Sequence, residues 1–129
     1  MYGETDRVWG ELTIDERHQG APGFAHGGAV ATALDDAFGM ILRLVNKPAV
    51  TVHFEIDYRK PWLLGTPHRI EAELERTEGR KMHYAGRALD GDGSLVAEAT
   101  SIYLIVGTEH FMEGVQHARE QTGRSELPW

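Results

Sequence analysis

Residues 20–45, GAPGFAHGGAVATALDDAFGMILRLV, restrict the possible folds of this chain more than any other stretch. A glycine-punctuated loop leads into His26-Gly27-Gly28. From about Gly27 to about Val45 the residues are then small or apolar, broken by one pair of carboxylates, and Asn46 with Lys47-Pro48 supplies a stop. Projected at about 100° per residue, Val30, Leu34, Ala37, Phe38, Ile41 and Val45 fall on one stripe. The pattern predicts one long amphipathic helix, and the rest of the chain reads as strands that cover it.

Residues 7–14 predict a first strand, and 15–25, with charges, two glycines and a proline, predict a loop. Over 49–59 the chain alternates. Val50, Val52, Phe54, Ile56 and Tyr58 point one way and Thr51, His53, Glu55 and Asp57 the other, which predicts a strand with one buried face. Lys60-Pro61-Trp62-Leu63-Leu64-Gly65 connects to a strand over 67–76, where Ile70, Ala72 and Leu74 oppose Glu71, Glu73 and Glu75. Glu78-Gly79-Arg80 is a turn into a strand over 81–89. Asp90-Gly91-Asp92-Gly93 marks a hairpin into the last strand, 94–106. In the tail, 107–129, Phe111, Val115 and Ala118 fall at helical spacing and predict a short helix over about 109–121. Short connections favour antiparallel neighbours, so the expected class is α+β, with one helix against one curved antiparallel sheet. The whole of 1–129 is expected to be a single domain with its core over about 7–106. The sheet's other face, with Ile102 and Leu104, is left partly exposed, which predicts a homodimer or a dimer of dimers.

Composition excludes several classes of function. With no cysteine there is no disulfide, thiol nucleophile or thiolate zinc site, and a reducing cytoplasm is the expected compartment. A net charge of −7 argues against nucleic acid as a partner. No apolar run approaches the roughly 20 residues of a membrane span, and MYGETDRVWGEL lacks the apolar centre of a signal peptide. His18, His53, His68, His83, His110 and His117 show no metal-ligand spacing, so no metal is expected.

The chemistry gathers on the helix. Asp36 falls with Thr32 and Arg43 on the polar side. Asp35 sits at the border of the apolar stripe among Ala31, Gly39 and Leu42, where a ligand or a second chain can come close. A carboxylate on such a border is partly desolvated, which favours its use as a base. From spacing alone, a solvated acidic pair is an equal reading. At the other end, the bare backbone of His26-Gly27-Gly28 opens the helix, where free N–H groups carry partial positive charge and can receive an oxyanion. Equally, His26 reads as a capping side chain on a plain glycine loop. About 13 Å of helix separates His26 from Asp35, so both ends reach one carbonyl only if they come from different subunits. The Thr51 hydroxyl is a candidate to orient water. Arg59-Lys60 and Arg80-Lys81, each at a strand boundary, are candidates to clamp phosphates or are ordinary surface charge.

GAPGFAHGGAVATALDDAFGM, followed by VTVHFEIDYRKP, TEGRK and LVAEATSIYLIV, resembles the hotdog-fold acyl-CoA thioesterases of the PaaI-like group, in the branch that contains the carboxyl-terminal modulator protein. The likeness covers roughly 20–106. It implies a five-stranded antiparallel sheet wrapped around the long helix and a dimer that often assembles further. It also implies Asp35 as the catalytic acid, His26 and the Gly27 amide as the carbonyl-polarising group with Gly28 beside them, and Thr51 at the head of the second strand. Asp57, Arg59, Arg80 and Lys81 fall where relatives hold the nucleotide end of coenzyme A. Gly20 and Lys60 replace an asparagine and a hydroxyl residue found in some relatives, which leaves Thr51 as the candidate for positioning water.

The expected function is hydrolysis of an acyl-CoA, with coenzyme A as part of the substrate and no separate cofactor. Asp35 acts either as general base or as nucleophile. A non-catalytic acyl-CoA binder is the alternative. A hotdog hydratase would need a pocket histidine that no motif here supplies.

Overall fold

The computed structural model describes residues 2–4 and 6–122. Its elements are β1 (Tyr2–Glu4), β2 (Arg7–Leu12), α1 (Gly27–Val45), β3 (Ala49–Tyr58), β4 (His68–Glu78), β5 (Lys81–Leu89), β6 (Leu95–Ile105) and α2 (Thr108–Thr122). The helix limits agree with the sequence pattern. His26 caps the first turn, and Asn46, in the left-handed region at φ 54°, ends the last. Asn tolerates that conformation because its side chain bonds locally.

All strands lie in one antiparallel sheet of order β1-β2-β4-β5-β6-β3. The expected five strands are present, and the three-residue β1 adds a sixth at the β2 edge. Too short for a readable alternation, β1 is held by pairing Tyr2 with Trp9. The segment 60–66 does not close a hairpin between β3 and β4, because β3 lies at the far edge and pairs with β6. Instead it runs against the loop before α1, where Phe24 bridges Leu63 and Ala25 N–H donates to the Trp62 carbonyl at 2.9 Å.

The sheet wraps α1 through Val8, Ile70, Ala72, Met82, Tyr84, Val96, Ala97 and Tyr103, which meet Val30, Leu34, Ala37, Phe38 and Ile41 in one core. Gly86 allows the closest approach, since a Cβ there would stand 2.9 Å from the Phe38 ring. On the outward face Ile102 and Leu104 are half-buried, as expected. In α2 Val115 is buried. The Phe111 side chain and residues 123–129 lie outside the described residues.

One expectation about β3 fails. Its register slips between Thr51 and His53, so Val52 is the extra residue of a β-bulge. Beyond the bulge the alternation holds, and Phe54 meets Phe38 on the helix side. Before it the faces are exchanged: Thr51 pairs with the buried Tyr103, and Val50 pairs with Leu104 on the outer face. Val50 and Val52, expected on the buried face, are 42% and 51% exposed. A bulge re-aims a side chain in this way, and the sequence pattern alone assumes a fixed period of two.

Candidate active site

Two clusters lie along α1, one at its start and one at its middle. At the middle of the helix Asp35 is half-buried and Asp36 exposed, as the projection predicts. The Tyr103 hydroxyl donates to Asp35 Oδ1 at 2.7 Å and also lies 3.3 Å from the Asp35 carbonyl oxygen. Oδ2 has no partner among the described residues. One turn on, a Cβ built on Gly39 would meet nothing within 4 Å, so the helix surface beside Asp35 is open. Burial raises the Tyr103 pKa well above the usual phenol value; the nearby Asp35 charge adds to this and Thr51 opposes it. Tyr103 is therefore a neutral donor across any working pH. The bulge in β3 is what brings Thr51 to this side. Tyr103 was not legible as a site residue, because an apolar-looking strand position 68 residues from Asp35 carries no local signal.

At the start of α1 the His26 imidazole Nδ1 accepts from Gly28 N–H at 2.9 Å, the role of an N-cap. That hydrogen bond occupies the Gly28 amide. Gly27 N–H, in the first helical position, has no intrahelical acceptor. The Tyr58 hydroxyl donates to the Gly27 carbonyl oxygen at 2.6 Å, and a Cβ on Gly27 would lie 3.2 Å from it. A cavity of about 310 Å³ opens here, lined by Gly27, Val30, Tyr58, Arg59, Lys60 and Trp62 among others. No acidic residue lies in the helix's first turn, so nothing there opposes the positive end of the helix dipole.

The basic pairs differ. Arg59 is ion-paired with Glu98 and Lys60 with Asp90, on strand β6 and the hairpin before it. These contacts hold the Arg59 pKa above and the Asp90 pKa below their ordinary values. Arg80 and Lys81 are exposed and form no ion pair with the described residues. Asp57 points to the outer face and lines a separate groove of about 890 Å³ with Glu98, Glu71 and Arg87. That groove, though larger, contains neither Asp35 nor Gly27, and Glu71 in it is already bound by Arg69 and Arg87. Asp57 is thus gathered with neither Asp35 nor Gly27, although its charge reaches Arg59. No cluster of His, Asp or Glu able to hold a metal occurs among the described residues.

The sequence model of the Thioesterase superfamily matches residues 22–97, which includes both clusters except Tyr103. The chain belongs to the thioesterase superfamily. It is 32% identical over 87 residues to acyl-coenzyme A thioesterase THEM4 of Xenopus laevis, an alignment covering 67% of this chain and 39% of that protein. The chain thus spans about two fifths of the length of that relative. Two solved structures share the fold. A Streptococcus mutans protein, determined with acetyl CoA bound, superposes with a TM-score of 0.78 at 23% identity, covering 83% of this chain and 86% of that one. The PaaI protein of E. coli gives 0.76 at 16% identity, over 81% and 79%. The hotdog architecture and the PaaI-like resemblance read from the sequence are both borne out.

Proposed function

We propose that the chain is an acyl-CoA thioesterase whose site joins Asp35 of one protomer to the Gly27 amide of another. The observation that carries this reading is the half-buried Asp35 carboxylate, tied through one oxygen and free at the other, beside open helix surface at Gly39. The likeness to THEM4 supports acyl-CoA as the substrate class.

In the general-base form, Oδ2 takes a proton from water as the water oxygen bonds to the thioester carbonyl carbon. The developing oxyanion is held by Gly27 N–H, the C–S bond then breaks, and the proton passes from Asp35 to the leaving thiolate. In the nucleophile form Oδ2 attacks the carbon itself and the C–S bond breaks to release the thiolate; water then cleaves the anhydride, which yields the free acid, restores the Asp35 carboxylate and leaves one proton for the thiolate. His26 sets the amide by capping the helix, and Thr51 borders the acid. Arg80 and Lys81, uncommitted to ion pairs, suit the phosphates of coenzyme A. Arg59 and Lys60 serve them only by exchanging Glu98 and Asp90 for the ligand.

A homodimer is supported by β3. It is a ten-residue edge strand with Val50 and Val52 exposed, and such an edge invites pairing with a second copy. A further pairing of dimers across the outer sheet face is part of the same proposal. So is a cytoplasmic location: no helix among the described residues is long and apolar enough to cross a membrane.

The test is thiol release across short, medium, long and aryl acyl-CoA substrates. Asp35→Asn is expected to lower kcat by roughly 100- to 10,000-fold with binding retained. Undiminished hydrolysis by that variant, or tight binding with no thiol release from any substrate by the native protein, overturns the reading.

A further inference from the structure

We propose that Tyr103 is the positioning residue for Asp35: its hydroxyl ties Oδ1 and so assigns the chemistry to Oδ2. The inference rests on the reading that Asp35 is the reacting acid, and it adds a residue that no motif in the chain marks.

Three observations carry it. The hydroxyl reaches both Oδ1 and the carbonyl oxygen of the same residue, at 2.7 and 3.3 Å, so it fixes side chain and backbone together. The ring cannot swing away. Tyr103 is 5% exposed and packs edge-on against Tyr84, with centroids 5.1 Å apart at 68°. Finally, the bulge at Val52 sets Thr51 opposite Tyr103 in the ladder and on the same face. Thr51 thus lies beside the phenol and acts on it against the effects of burial and of Asp35.

The groups around Asp35 are few. Tyr103 of β6 touches it directly, and behind Tyr103 stand Tyr84 of β5 and Thr51 of β3. Asp36 is its neighbour on α1. No lysine, arginine or histidine among the described residues bonds to it. A single neutral donor is therefore what holds the anion.

Tyr103→Phe removes only the hydroxyl. The expected result is a fall in kcat of roughly 10- to 100-fold with KM within about twofold, since a hydrogen bond to a charged group is lost while the binding surface is unchanged. A second readout needs no substrate: the carboxyl carbon signal of Asp35, followed by NMR in the unliganded protein at neutral pH, should shift in Tyr103→Phe as the bond to Oδ1 is lost. Thr51→Val should move both readouts the same way by less. Native kcat and an unmoved carboxyl signal in Tyr103→Phe overturn the inference while leaving Asp35 in place. So does a loss of stability and rate with the carboxyl signal unmoved, which marks a packing role only. An Asp35→Asn protein that still turns over fails the underlying reading instead.

Discussion

The start and the middle of α1 are built by opposite strategies. The Gly27 site is local: His26 caps an amide two residues away, and the one long-range hydrogen bond to it among the described residues comes from the half-exposed Tyr58. The Asp35 site depends on distance. A tyrosine 68 residues on holds the carboxylate, and a bulge in a third element brings up Thr51. A backbone donor needs only a helix start and room to be approached, whereas a carboxylate on a helix border must be told which oxygen to use. The first requirement fits in a short motif, and the second needs the sheet.

After Asp35→Asn, the largest expected effect breaks the local site alone. Gly27→Pro removes the N–H at the first helical position, where proline is tolerated and where His26, at φ −60° and ψ 136°, already has the extended backbone that precedes proline. The added Cβ meets only the half-exposed Tyr58 hydroxyl region at 3.2 Å. Thiol release should fall about 100- to 1,000-fold with thermal stability near native. A rate close to native would remove the amide from the mechanism.

A smaller effect separates capping from chemistry at the same end. His26→Ala should lower stability by about 1 kcal/mol and Tm by a few degrees, and His26→Asn should restore both stability and rate. A stable His26→Asn protein that stays inactive would give the imidazole a direct role.

The smallest effect belongs to the sheet-built site. Tyr84 is 1% exposed, and burial pushes its pKa up to about 12 from 10. The unfolded chain releases this proton first, so the contribution is complete below pH 10 and is lost as pH rises toward 12, at about 1.4 kcal/mol per pH unit. Tyr103 adds a like slope over the same window, so denaturant unfolding should show the sum and Tyr84→Phe should roughly halve it.

The sequence revealed the fold more fully than the site. Helix and strand limits follow from periodicity and from Gly, Pro and Asn punctuation, and five strands and two helices stand where the pattern puts them. The exceptions share one cause, which is that each depends on a partner remote in the chain. The slip at Val52 is set by pairing with β6, and β1 by pairing with β2. The crossover 60–66 is set by the loop before α1. In the site, Asp35 was legible because its own helix defines the border it sits on. Tyr103 and Tyr58 were not, since nothing near either names its target. The basic pairs looked alike in sequence, but Glu98 and Asp90 engage one and not the other.

Mixed dimers test most directly the proposal that one protomer's acid serves the other's amide. Asp35→Asn and Gly27→Pro proteins are each expected to be inactive. Unfolded together and refolded at equal ratio, they should regain about one quarter of native activity, because half the dimers are mixed and each mixed dimer holds one site with both native groups. No recovery on mixing, with mixed dimers verified by a size tag, would contradict it and place both groups of any working site within one chain.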